Sequence, residues 1–339
     1  MRLELFLAGA KFPGVTAGEA LARTVSHGVT AERAGLDGVW LAEHHFISYG
    51  VCPSATVAAG NLLGRTERIT VGTAACVLSN RSPVALGEEA VALDAMSGGR
   101  FRLGVARGGP WVDLEVFGTG IERFAEGFGE SLDVLCDWVS GKPRVAADGR
   151  FFRFREVAVV PKPAAPLPVW VAATSTSTVD LAARRGLPLL LGVHIGDAAK
   201  AELLDRYRET AEMFGHDAGT APHAAAYLCH VADSREKAAA EVRAAMPGWI
   251  GAGVAEYVRI DGSAGPARDP AAYVETLIGM HPVGTPEHCA EVLSRSAERT
   301  GVQHALLMVE GAGGFEATGT TIERIGAEVA PMLAGGPLS

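Results

Sequence analysis

The chain has 339 residues, 48% of them apolar and 20% charged, with 30 Lys and Arg against 39 Asp and Glu for a net charge of −9. That apolar mass supports a packed core and excludes disordered, collagen-like and coiled-coil chains. The acidic balance, with no basic stripe to offset it, argues against nucleic acid and anionic membrane as partners.

In chain order, short apolar runs alternate with longer amphipathic ones. Residues 3–8 precede 17–34, 38–42 precede 54–64, 69–76 precede 84–96, and 101–106 precede 124–139. After an interruption, 169–173 precede 179–184, 189–193 precede 198–214, 224–231 precede 236–249, and 305–309 precede 322–333. Near-continuous apolar strands followed by helices are the pattern of a covered parallel sheet, and eight such pairs predict a (β/α)8 TIM barrel. The expected architecture is a single domain over 1–339 with insertions after helix 4 and after helix 7. The first, 140–168, is Gly-, Pro- and Phe-rich and reads as a hairpin; the second, 251–286, carries one short helical stretch near 271–278.

The five cysteines, Cys52, Cys76, Cys136, Cys229 and Cys289, are scattered and form no CxxC pair, which predicts a reducing compartment and no metal site. The run 3–10 reads as a strand, and no stretch reaches the roughly 18 uncharged residues of a membrane helix, so a cytoplasmic location is expected.

In such a barrel, function gathers where strands end at their C-terminal side. Strand 2 ends in Glu43-His44-His45-Phe46, in which an imidazole reads either as a general acid/base or as a buried structural histidine. Strand 4 ends in Arg107-Gly108-Gly109, a fixed cation with accessible backbone N–H groups, fit for a phosphate or for a structural ion pair. Strand 5 runs into Thr174-Ser175-Thr176-Ser177-Thr178, an anion-binding helix start or a plain N-cap. Arg107 and this turn lie on neighbouring strands and could grip one phosphate.

Several stretches then carry a family resemblance: VWLAEHHF at 39–46, VGTAACVL at 71–78, LDAMSGGRFRLG at 93–104, VFGT at 116–119, GLP at 186–188 and PVGTP at 282–286. With them the chain resembles the bacterial luciferase family of flavin-dependent monooxygenases, and its match to the luciferase catalytic subunit runs nearly end to end. The resemblance implies a barrel that takes reduced FMN (FMNH2) from a separate flavin reductase. It further implies that O2 oxygenates an apolar or aromatic small molecule through a flavin C4a-(hydro)peroxide, in secondary-metabolite biosynthesis, and that subunits pair as a homodimer. By position, His44 matches the catalytic histidine. Ala74-Ala75 matches a cis peptide against the flavin ring, Arg107, Ser175 and Thr178 match phosphate-holding residues, Arg123 is similar to a second phosphate arginine, and Thr174, at the same cofactor site, stands where luciferase has a glutamate. Glu43 and His45 match the catalytic histidine's neighbours in the EHH motif and Asp113 and Trp249 match residues near the flavin, while Phe46, Tyr49, Leu114 and Phe117 would form an apolar substrate pocket or the layer behind it. Ala106 stands where the family has a reactive cysteine, Val193 where it has a tryptophan, and the 251–286 region is shorter than the luciferase lid. These departures argue against efficient light emission. The competing readings are F420-dependent hydride transfer on the same fold and a non-catalytic flavin-binding or subunit-partner protein.

Overall fold

In the computed structural model, eight parallel strands close on themselves: β1 (Arg2–Leu7), β2 (Gly38–Leu41), β3 (Thr70–Thr73), β4 (Phe101–Ala106), β5 (Val169–Ala173), β6 (Leu189–Leu191), β7 (Ala224–Leu228) and β8 (His304–Met308). Each pairs with the next, and β8 returns to β1 through Arg2↔His304 to Phe6↔Met308. The fold is a (β/α)8 barrel. The structure describes residues 1–263 and 269–334; residues 264–268, inside the second insertion, and 335–339, at the end of the expected domain, lie outside the described residues.

The helices of two turns or more are α1 (Ala17–Arg33), α2 (Ala55–Leu63), α3 (Pro83–Ser97), α4 (Phe128–Val139), α5 (Thr176–Ala183), α6 (Asp197–Met213), α7 (Arg235–Val254), α8 (Pro270–Met280), α9 (Pro286–Thr300) and α10 (Phe315–Arg324); shorter ones include Gly120–Glu126, which splits the helix expected over 124–139, and α10 begins at 315, before the expected 322. Local chemistry sets their starts. Thr16 and Glu19 form a reciprocal capping box before α1, and Ser54, Ser82, Ser175, Ser234 and Thr285 each accept a backbone N–H from the first turn they precede. Among the described residues no helix is long and apolar enough to cross a membrane.

The main core lies between strands and helices, while a second layer fills the barrel itself. Trp40 and Trp170 meet edge to face there at 5.4 Å. Burying an indole requires a partner for its N–H. Trp40 donates to the Glu4 carboxylate at 2.9 Å and Trp170 to the Pro222 carbonyl at 3.0 Å. Space for the Trp40 ring comes from glycine, since a Cβ at Gly72 would sit 2.5 Å from it; Gly104 instead lets β4 approach β3, where a Cβ would sit 2.0 Å from the Thr73 carbonyl. Above the tryptophans the side chains shrink to Ala74, Ala75, Ala106 and Ala172. The barrel is therefore plugged below and open above.

Both interruptions fold as separate additions. The first contains the antiparallel hairpin Arg144–Asp148 with Arg153–Ala158. The second lies between α7 and α9, and α7 with α8 covers part of the C-terminal mouth: Met246, Trp249, Val274 and Leu277 pack on Ala8, Leu228 and Met308 at strand ends. Helix α9, against α6, was not anticipated by the βα alternation. Strand 3 is shorter than the expected 69–76: it spans Thr70–Thr73, a cis Ala74–Ala75 peptide follows, and strand pairing resumes at Cys76–Val77.

Candidate active site

A cavity of ≈ 400 Å³ opens at the C-terminal mouth, within the range of small-molecule sites. Its floor is the alanine layer, Ala74, Ala75, Ala106 and Ala172, with Phe6 beside it. One wall is Glu43, His44, His45 and Phe46, leaving β2; another is Gly108 to Asp113, leaving β4. The third, Glu256, Tyr257 and Val258, comes from the second insertion.

His44 is pinned in place. Its backbone N–H donates to the Cys52 carbonyl at 2.9 Å, and its ring stands edge-on to Tyr49 at 5.3 Å. Nδ1 is sealed without a hydrogen-bond partner and packs on Gly50, where a Cβ would come within 2.5 Å of it. The Nε2 edge is thus the one available to the cavity. Burial brings this imidazole down to about 4, the neighbouring His45 adding to the drop and Glu43 opposing it, so the ring is neutral at neutral pH.

Glu43 serves its surroundings. Its carboxylate accepts N–H from Val77 at 2.9 Å and from Ala55 at 3.2 Å, with His45 Nε2 at 3.6 Å and Arg81 at 3.9 Å. Burial pushes its carboxyl up, but His45, the two N–H groups and Arg81 outweigh that and hold it below the usual carboxylate range. Asp113 is similarly engaged, accepting from Asn80 Nδ2 at 2.7 Å and from the Leu114 N–H at 3.1 Å. Phe46 has φ +59°, a left-handed conformation rare for a bulky residue, and its ring is 56% exposed at the cavity rim.

Beyond the cavity, the register Ala106↔Ala172 sets Arg107 beside the turn that opens α5. Arg107 lies over the Phe124 ring at 4.9 Å, and no carboxylate pairs with it among the described residues. Ser175 caps α5, and its Oγ is 3.1 Å from the hydroxyls of both Ser177 and Thr178; Thr174 is exposed just before it. Arg123 stands differently: its Nη2 donates to the carbonyls of Arg81 and Leu78 and its plane lies 4.8 Å over Phe152 of the hairpin.

Of the side chains expected in the pocket or behind it, Glu43, His45, Phe46 and Asp113 line the cavity. Tyr49, Leu114, Phe117 and Trp249 stand behind the wall: Tyr49 stacks on Trp249 at 4.6 Å, Leu114 is fully buried, and Phe117 meets the His45 ring at 4.9 Å. Sequence reasoning missed Trp111, Val112, Glu256, Tyr257 and Val258. The last three reach the cavity because 258–260 pairs with 110–112, through Val112 N–H to the Val258 carbonyl and Ile260 N–H to the Pro110 carbonyl, both at 2.9 Å. Glu256 also accepts the Ser48 N–H, which ties the strap to the loop after β2.

A small-molecule cavity at the C-terminal mouth of this barrel, with an imidazole pair in its wall, is the layout of a TIM-barrel enzyme. The sequence profile of the luciferase-like monooxygenases matches residues 1–304, and the chain belongs to that family. It is 32% identical to the alkanal monooxygenase alpha chain of the Kryptophanaron alfredi symbiont, over 96% of this chain and 94% of that one. The oxygenating constituent of 3,6-diketocamphane monooxygenase from Pseudomonas putida, solved with FMN, shares the fold at TM-score 0.80 and 20% identity, with 98% of each chain covered. An F420-dependent secondary alcohol dehydrogenase, solved with an F420–acetone adduct, does so at 0.77 and 17%, again over 98% of each chain.

Proposed function

We propose that this protein is an FMNH2-dependent monooxygenase that uses O2 to oxygenate an apolar organic metabolite, with reduced FMN supplied by a separate reductase and two copies pairing as a homodimer. The observation that carries this reading is the alanine floor beneath a wall holding His44, beside an uncompensated Arg107 at a helix start. These residues fit FMN. A flat ring needs a floor without side-chain bulk, and a phosphate needs Arg107 with the Ser175 and Thr178 hydroxyls at the start of α5. Reduced FMN, when bound, supplies the electrons that activate O2.

The chain supplies the rest. The floor of Ala74, Ala75, Ala106 and Ala172 orients the ring; Arg107 and the α5 turn anchor its phosphate. His44, neutral and held by its backbone bond to Cys52 and by packing on Gly50 and Tyr49, exchanges a proton with the bound reactants at Nε2. The strap at 256–260 keeps water from the reacting atoms. Measuring O2 uptake with reduced FMN and a panel of apolar substrates tests this reading. Substrate-dependent uptake is expected in the wild type and lost in His44→Ala, which should still bind FMN. F420-linked hydride transfer without O2 uptake would overturn it.

A further inference from the structure

Resting on that function, we infer that Trp111 and Tyr257 select the substrate, and that the class they admit is a compact, uncharged planar aromatic in place of a long aliphatic chain. The two rings meet at 4.8 Å, one from the loop after β4 and one from the strap, and both line the cavity. The backbone pairing of 110–112 with 258–260 and the Glu256–Ser48 contact hold them across the mouth. Both rings present flat faces at the cavity wall, on which a planar aromatic can stack and an extended aliphatic chain cannot.

Charge points the same way. Among the described residues no Lys or Arg lines the cavity, and its three carboxylates are already occupied by Val77 and Ala55, by Asn80, and by Ser48. An anionic substrate would find no counter-charge, and a cationic one would have to displace those bonds. His44, with its Nε2 edge toward the cavity, is left to meet a hydroxyl on a ring.

Gly109 makes the arrangement possible. A Cβ there would lie 2.1 Å from Trp111 Nε1, so the indole occupies the space that any other residue would fill. Because the clash falls on the Trp111 indole and not on backbone, and Gly109 lies in the loop beyond β4, Gly109→Ala should displace the indole while leaving the barrel strands in place.

Calorimetric titration with 1-naphthol and with decanal, each with and without FMN, tests the inference. A stacked aromatic pair contributes enough that the wild type should hold 1-naphthol about tenfold more tightly than decanal. Trp111→Ala and Gly109→Ala should both erase that preference, and Trp111→Phe, which keeps a ring, should retain most of it. Equal wild-type affinities, or parallel losses for both ligands in the variants, would overturn the inference. Failure of the wild type to bind FMN would instead count against the flavin reading, since the naphthol preference is measured without FMN as well.

Discussion

At the scale of single residues, the site separates groups held for structure from groups left for a ligand. Arginines show the contrast. Arg123 already donates to two carbonyls and covers Phe152, whereas Arg107 has a ring beneath it and, among the described residues, no carboxylate. A guanidinium left without a partner beside a capped helix start has its donors free for an anion. A charge-assisted hydrogen bond contributes roughly 1.5–3 kcal/mol, so Arg107→Ala should weaken FMN binding by about 10- to 100-fold. Riboflavin, which shares the ring and lacks the phosphate, should lose far less. Fluorescence titration of both flavins reads the difference, and equal losses would remove Arg107 from the phosphate site. The histidines divide similarly: His45 faces Glu43, while His44 keeps one edge toward the cavity.

At the scale of elements, Glu43 is a joint. It binds the N–H of Ala55 at the start of α2 and that of Val77 beyond β3, from its own position at the end of β2. Removing it orphans two buried donors, so Glu43→Ala should cost about 2–5 kcal/mol of stability. Glu43→Gln, which keeps one acceptor, should lose less; urea unfolding that ranks Gln with Ala would disprove the joint. The strands and the EHH segment were legible from sequence because each is written locally, as an apolar run or as a motif at a strand end. Helix α9 was legible too, through Thr285, Pro286 at its first position and Gly301 at φ +74° after its end. It went unread because α7 already followed β7 and the Pro- and Gly-rich approach resembled loop. Strap 256–260 is a different case. Its place over the cavity depends on pairing with 110–112, about 150 residues away in sequence, and no periodicity encodes such a contact. Trp111 and Tyr257 were invisible for that reason.

At the scale of the whole molecule, the buried titratable groups make stability depend on pH. Burial brings His27, His44, His223 and His281 each down to about 4 from 6.5, and it raises Glu310 from 4.5 to about 7. Between about pH 6.5 and 4 the unfolded chain takes up protons at four histidines that the folded chain leaves neutral. Glu310 acts in reverse, being protonated first in the folded state, and offsets about one of the four. The balance favours unfolding as pH falls, so stability present above 6.5 is lost toward 4. His223 shows the cause in atoms. Its Nδ1 accepts the Leu189 N–H at 3.1 Å, and protonation would set donor against donor beside β6. Urea midpoints should therefore drop between about pH 7 and pH 5 with little change in slope. His223→Gln, whose amide oxygen can accept the same N–H and does not titrate, should shrink that drop while leaving flavin binding intact. A variant with the full wild-type drop would show that His223 does not take part in the acid response.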